Sequence, residues 1–153
     1  MSQLMLGEHQ LGTATLVSRT SLTAPTTDTL KAALFTAAST LNASTTSYTG
    51  AVTEVSGMGY TAGGVTVTNA TAPTSTNSSA TAGVAFFTPS ASITYPNVTL
   101  GTAFDAVLIY NSTQSNKAIS VHTFGSQTIT AGTFTLTMPS NTTSTALIRL
   151  ATT

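Results

Sequence analysis

Fifty of the 153 residues are Thr, Val or Ile. Branching at Cβ restricts χ1 and suits these side chains to a pleated surface. A chain biased this way is steered toward strands before any pattern is read. Disorder is the rival outcome for a chain with 36 Thr and 18 Ser, because hydroxyl-rich tracts often build no core. Two counts favour folding. Leu, Ile, Val and Phe total 33 and the formal net charge is zero, whereas disordered chains combine low hydrophobicity with high net charge. A chain of about 150 residues can bury roughly two-thirds of its unfolded surface.

The spacing of apolar runs predicts about eight short strands. Thr29–Thr36 reads as a strand because Ala32 and Leu34 alternate with Lys31, Ala33 and Phe35 in a run too short for a typical helix. Ala51–Ser56 leads into Gly57–Gly64, where four glycines in eight residues predict a turn or bulged corner. Val65–Thr68 follows as a strand, and Asn69–Ala82 reads as an exposed loop. Gly83–Thr88 is a short strand closed by Pro89, and Ala91–Tyr95, stopped by Pro96, either pairs with it or continues to Leu100. Phe104–Tyr110 and Lys117–Phe124 form a hairpin about a polar loop, Asn111–Asn116. Thr128–Thr130, Thr133–Met138 and Ala146–Leu150 complete the set, with a turn at Ala131-Gly132. The predicted architecture is all-β: a single β-sandwich or jelly-roll-like domain of antiparallel strands over residues 25–153. Residues 1–24 have mixed periodicity and read as an N-terminal arm.

Scarcity of charge excludes several roles. Four Lys/Arg residues form no basic stripe for nucleic acid, whose binding neutralises several phosphates. The same shortage argues against an anionic membrane surface, and no apolar run approaches transmembrane length. The first residues lack the basic and apolar regions of a signal peptide. With no Cys, neither a disulfide framework nor a thiolate metal site is available.

Few residues are equipped for chemistry. His122, Asp105 and any of many serines supply the inventory of a triad, but a triad is defined by geometry and no Gly-x-Ser-x-Gly elbow is present. His122 shares a strand face with Ser120 and Phe124, which predicts a hydrogen-bonded sheet histidine. A glycosidase carboxylate pair would have to come from Asp28, Glu54 and Asp105, without any Trp platform. Glu8 and His9 are adjacent, so on a strand they point to opposite faces; only a trimer axis could gather copies of one His. The glycine cluster lacks the Lys-Ser/Thr of a phosphate loop. Six Asn-x-Ser/Thr triplets, from Asn42 to Asn141, follow from composition. No enzyme activity, metal or cofactor is expected.

Uncharged strands are the more telling feature. Sheet edges are usually guarded by Lys, Pro or bulges, yet only Lys31, Glu54, Asp105, Lys117 and Arg149 fall near the predicted strands. A hydroxyl-covered sheet of this kind is expected to be covered by copies of itself or by a larger assembly.

Several stretches resemble small structural proteins of tailed bacteriophages. These are Asp28-Thr-Leu-Lys-Ala-Ala-Leu-Phe-Thr36, Glu54-Val-Ser-Gly-Met-Gly-Tyr-Thr-Ala-Gly-Gly64, Ala106-Val-Leu-Ile-Tyr-Asn111, Lys117-Ala-Ile-Ser-Val-His-Thr-Phe-Gly125 and Ala131-Gly-Thr-Phe-Thr-Leu136. The likeness spans roughly Asp28 to Ala151 and departs at His122-Thr123 and in the Asn69–Ala82 loop. It implies a virion protein of the capsid cement or decoration type, on the outer surface of the phage head. Its partners would be the major capsid protein and copies of itself, as a homotrimer. The expected lattice contacts are Leu4, Leu6, Leu11 and Leu16 of the arm, with Phe86, Phe87 and Tyr95 packing between subunits. The alternative is a tail, neck or head-fibre module involved in host attachment.

Overall fold

The computed structural model describes residues 28–49, 53–68, 74–76, 84–88 and 92–151. All regular structure among them is β, in seven strands: β1 (Leu30–Thr36), β2 (Val65–Val67), β3 (Thr74–Thr76), β4 (Val84–Phe87), β5 (Ser92–Asn111), β6 (Lys117–Thr137) and β7 (Ile148–Ala151). They form a four-stranded sheet in the order β2-β1-β5-β6 and a three-stranded sheet in the order β3-β4-β7. The chain divides into two compact units, one containing Thr29–Val67 and Ile93–Leu136, the other containing Thr68–Ser92 and Thr137–Thr153. Among the described residues no helix is long and apolar enough to cross a membrane.

In the larger unit β1 is central. It pairs antiparallel with β2 (Leu30 opposite Val67) and with β5 (Ala33 opposite Leu108). A central strand covered on both faces needs apolar residues at consecutive positions rather than alternate ones. Ala32, Ala33, Leu34 and Phe35 are accordingly all buried, as is the run from Ala106 to Tyr110 on β5. One layer of this core joins Ala33, Phe35, Ala106, Leu108 and Tyr110, flanked by Leu41, Tyr48, Ala118 and Val121.

The two long strands replace several short ones. β5 runs 20 residues and β6 runs 21, joined through the turn Ser112–Asn116. The Asn111 carboxamide opens that turn, its Oδ1 accepting from the N–H groups of Thr113 and Gln114. Ser115 and Asn116 close it at positive φ. Pro96 does not stop β5; it lies exposed within the strand, and the next residue, Asn97, takes φ 53°. Ala131-Gly132 is likewise a distortion inside β6 rather than a turn, with Ala131 at φ 45° and its N–H donating to Thr99 Oγ1 across the hairpin. Extended strands absorb such residues as bulges when the partner strand continues beneath them.

The hairpin is sharply bent. Ten residues of strand span about 33 Å, yet the rings of Phe124 and Phe134 lie 5.6 Å apart. Phe134 also meets Phe104 at 5.0 Å and Tyr95 at 5.9 Å. The apolar rings collect inside the bend because burying them there removes the most apolar surface from water.

In the smaller unit β4 pairs antiparallel with both β3 and β7. Adjacent Phe86 and Phe87 are both buried, so β4 is covered on both faces. Thr88 ties the unit together: its N–H donates to Asn141 Oδ1 and its Oγ1 accepts from Leu147 N–H. Of the predicted Asn69–Ala82 loop, Thr74–Thr76 is a strand and the rest lies outside the described residues. In the segment that leads into the glycine corner, Glu54 bridges Phe35, and residues 51–52 lie outside the described residues.

Candidate functional site

Two features of the larger unit stand out, a latched corner and an open edge. The corner is the glycine-rich segment Gly57–Gly64. On its approach, Thr36 N–H donates to Thr53 O and Val55 N–H to Leu34 O; on departure β2 pairs with Leu30–Ala32. Both flanks therefore run along β1, and the corner is an excursion between them that also touches β5, where Thr99 N–H donates to Met58 O. Gly64 sits at φ 73°, and a Cβ there would lie 1.7 Å from Ala32 O. Only glycine meets both demands.

A single carboxylate holds the corner. Tyr48 Oη donates to Glu54 Oε2, and Tyr60 Oη and Gly63 N–H donate to Glu54 Oε1, each at 2.7 Å. Tyr60 Oη also accepts from Leu34 N–H, and Tyr110 Oη donates to Gly63 O. Tyr48 stacks on Tyr110 at 4.5 Å. Tyr95 Oη donates to Ala32 O in the buried sheet. The chain has four tyrosines, and all four donate to this corner or to the strand it rests on. Burial pushes the hydroxyls of Tyr60, Tyr95, Tyr48 and Tyr110 above the ordinary value of 10.0, and the Glu54 charge raises them further. Tyr48 and Tyr60 each stand six positions from Glu54 and Gly63 nine, a spacing that marks no motif, whereas Tyr95 and Tyr110 reach β1 and the corner through the pairing of β1 with β5. The corner displays one large exposed apolar side chain, Met58, at 73%.

The open edge belongs to β6, which ends the order β2-β1-β5-β6. Its first residues are capped: Ser47 bridges Lys117, and Ala118 N–H donates to Thr46 O. From Ile119 onward no strand among the described residues pairs with its outer side. No charged residue occurs between Ala118 and Thr137. At the bend, Gly101–Ala103 of β5 and Gly125–Thr128 of β6 are exposed. The result is a ribbon elbow of small, uncharged residues, with room for a Cβ at both Gly101 and Gly125.

His122 lies on this strand without the predicted hydrogen bond. Its Nε2 and the Ser120 Oγ are buried with no partner among the described residues, and burial lowers the imidazole pKa from its usual 6.5. By strand alternation Ser120 and His122 share a face with Phe124. Leu4, Leu6, Leu11 and Leu16 lie outside the described residues, as do Glu8 and His9. Phe86, Phe87 and Tyr95 are 7%, 1% and 1% exposed; within the single chain their rings are buried, which removes the most apolar surface from water. No cluster of three or more metal-ligating side chains occurs among the described residues.

No protein-family model, curated protein or solved structure matches the chain.

Proposed function

We propose that this chain is a non-enzymatic structural subunit that works by being covered, a cement or decoration protein of a bacteriophage head. The reading favours a small sandwich of jelly-roll type that binds between capsomers through the major capsid protein and further copies of itself. The observation that carries it is the outer edge of β6, long, free of charge beyond Lys117 and open among the described residues. Unguarded edges present rows of backbone donors and acceptors that recruit another strand. Retaining one is a liability in a protein that works alone and an asset in one that assembles. Ser and Thr suit such contacts, since small side chains lose little rotamer entropy on immobilisation.

The test is the copy number and position of the chain in purified particles. Hundreds of copies on the head, with particles lacking the chain losing resistance to heat, agree with the proposal. A few dozen copies at one vertex or along the tail would instead favour a tail, neck or fibre part. Absence from particles overturns the virion reading altogether.

A further inference from the structure

We infer that the loop Asn42–Thr46 is a strap that closes onto the outer side of β6, extending a ladder already begun at its end. That the strap thereby guards an assembly edge rests on the proposed function; the closure itself does not. Ser47 and Lys117 form an antiparallel bridge, made by Tyr48 N–H donating to Asn116 O and Ala118 N–H to Thr46 O. These bonds fix the register before anything moves. Continued along both chains, Thr45 falls opposite Ile119, Ser44 opposite Ser120, Ala43 opposite Val121 and Asn42 opposite His122. A slip by one residue would have to break the bridge that starts the ladder.

In the structure the loop stands off from the strand. Between them is a cavity of about 340 Å³, lined by Leu41, Ala43 and Thr45 of the loop and by Ile119, Ser120 and Val121 of β6. What holds the loop away is local. Ser44 N–H donates to Asn42 Oδ1, Asn42 N–H to Thr45 Oγ1, Thr45 N–H to Asn42 O and Asn42 Nδ2 to Thr40 O. Side-chain turns of this kind compete with a ladder for the same backbone groups. A second hollow of about 120 Å³ lies beside Leu41 and Thr45, against Phe35 and Leu108. The loop is thus loosely packed and forfeits few contacts on moving.

Closure returns what the turn gives up. Ala118 N–H already points outward, and every second residue of a strand does the same, so Ser120 and His122 present theirs to the strap. Ser44 then exchanges both backbone bonds with Ser120, and Asn42 with His122. Side chains agree in kind along this one register. Ala43 meets Val121, and Thr45 sets its methyl against Ile119. On the other face Ser44 and Asn42 bring a hydroxyl and a carboxamide beside Ser120 Oγ and His122 Nε2, the buried atoms that lack a partner among the described residues. Closed, the strap takes the backbone positions another strand would use; turned, it leaves them open.

The chain has no Cys, so two introduced thiols report their own pairing. Ala43 and Val121 would form a non-hydrogen-bonded pair, with Cα atoms about 4.5 Å apart, inside the span of a disulfide. Under mild oxidation of the full chain, Ala43→Cys with Val121→Cys should close an intramolecular bond about ten-fold faster than Ser44→Cys with Val121→Cys, whose thiols would lie on opposite faces. Thr45→Val removes the acceptor of Asn42 N–H and should speed the first closure by roughly three- to ten-fold, the worth of one hydrogen bond. In the Thr45→Val chain without added thiols, the Ser120 and His122 amides should exchange with solvent more slowly than in the parent. Equal rates in the two Cys pairs, no cross-link in a chain whose unfolding midpoint is unchanged, or unchanged amide exchange overturns the strap. Sedimentation of the locked chain tests the guard separately. Loss of self-association that reduction restores supports both readings, whereas a selective cross-link with self-association intact keeps the strap and removes β6 as the assembly edge.

Discussion

The glycine corner and the β6 edge sit in the same compact unit and solve opposite problems. At the corner every strong polar group is spent inside the chain: one carboxylate takes three donors at 2.7 Å, and three positive-φ glycines, Gly59, Gly63 and Gly64, let the backbone close around it. Along the edge, from Ile119 onward, no strand among the described residues pairs with the outer side of β6, and the heads of Ser120 and His122 find no partner among them. Charge is the physical difference. Glu54 is one of four acids in the chain and it organises a site, whereas β6 beyond Lys117 has no charge to organise anything or to repel a neighbour. The hydrogen-bonded corner gathers around the scarce charge, and the uncharged edge is the surface that the proposed function uses.

Changes at the corner should therefore cost the fold most. Gly64→Ala adds a methyl against Ala32 O in a left-handed conformation, so a loss of about 3–5 kcal/mol is expected from overpacking and backbone strain together. Denaturant unfolding measures it, and a change below about 1 kcal/mol would show that the corner is not pinned to β1. Tyr60→Phe removes one donor to Glu54 and the acceptor of Leu34 N–H. The expected cost is about 1–3 kcal/mol, and Tyr48→Phe, at a less buried hydroxyl, should cost less.

Alkaline titration separates the regions further. All four tyrosines have folded-state pKa values raised above 10.0. The unfolded chain thus releases its phenolic protons first, and stability present below pH 10 declines as pH rises beyond it. Tyrosinate absorbance should stay low past pH 10 and then appear together with unfolding. A smooth titration near pH 10 in the folded protein would contradict the latch.

On the edge strand the sign is reversed. Burial lowers the His122 pKa below 6.5, so the unfolded chain takes up the proton first as pH falls. Stability is complete above about pH 6.5 and drains as pH drops toward the folded-state value. His122→Val should flatten that slope and leave neutral-pH stability equal or slightly higher, because an unpartnered polar head is replaced by an apolar one. The smallest effect is expected at the elbow. Gly125→Ala meets open space and should stabilise the single chain by about 0.4–1 kcal/mol through the unfolded state.

Much of the β character was legible. The run from Ala106 to Tyr110 marks a strand because burial of both faces demands consecutive apolar residues, and Lys31–Phe35, read as alternating, proves to be a strand with Ala32–Phe35 all buried. Of the two readings at Pro96 the continuing one holds, and Ala131-Gly132 misled for the same reason: a breaker ends a strand only when its neighbour strand ends too, and β5 and β6 sustain each other through both. The Glu54 latch is local, with Tyr48 and Tyr60 each six positions from the carboxylate, but such a spacing marks no motif, and Tyr110 joins Gly63 from 47 positions away once β1 has paired with β5.

Composition alone settled that this chain makes sheets and carries too little charge to guard them, because β-branching and charge are properties of residues taken singly. Where the strands run, how Tyr95 and Tyr110 reach β1 and the corner, and which edge stays open among the described residues were decided in three dimensions. Those outcomes depend on pairings between distant segments, and register is a property of two strands at once.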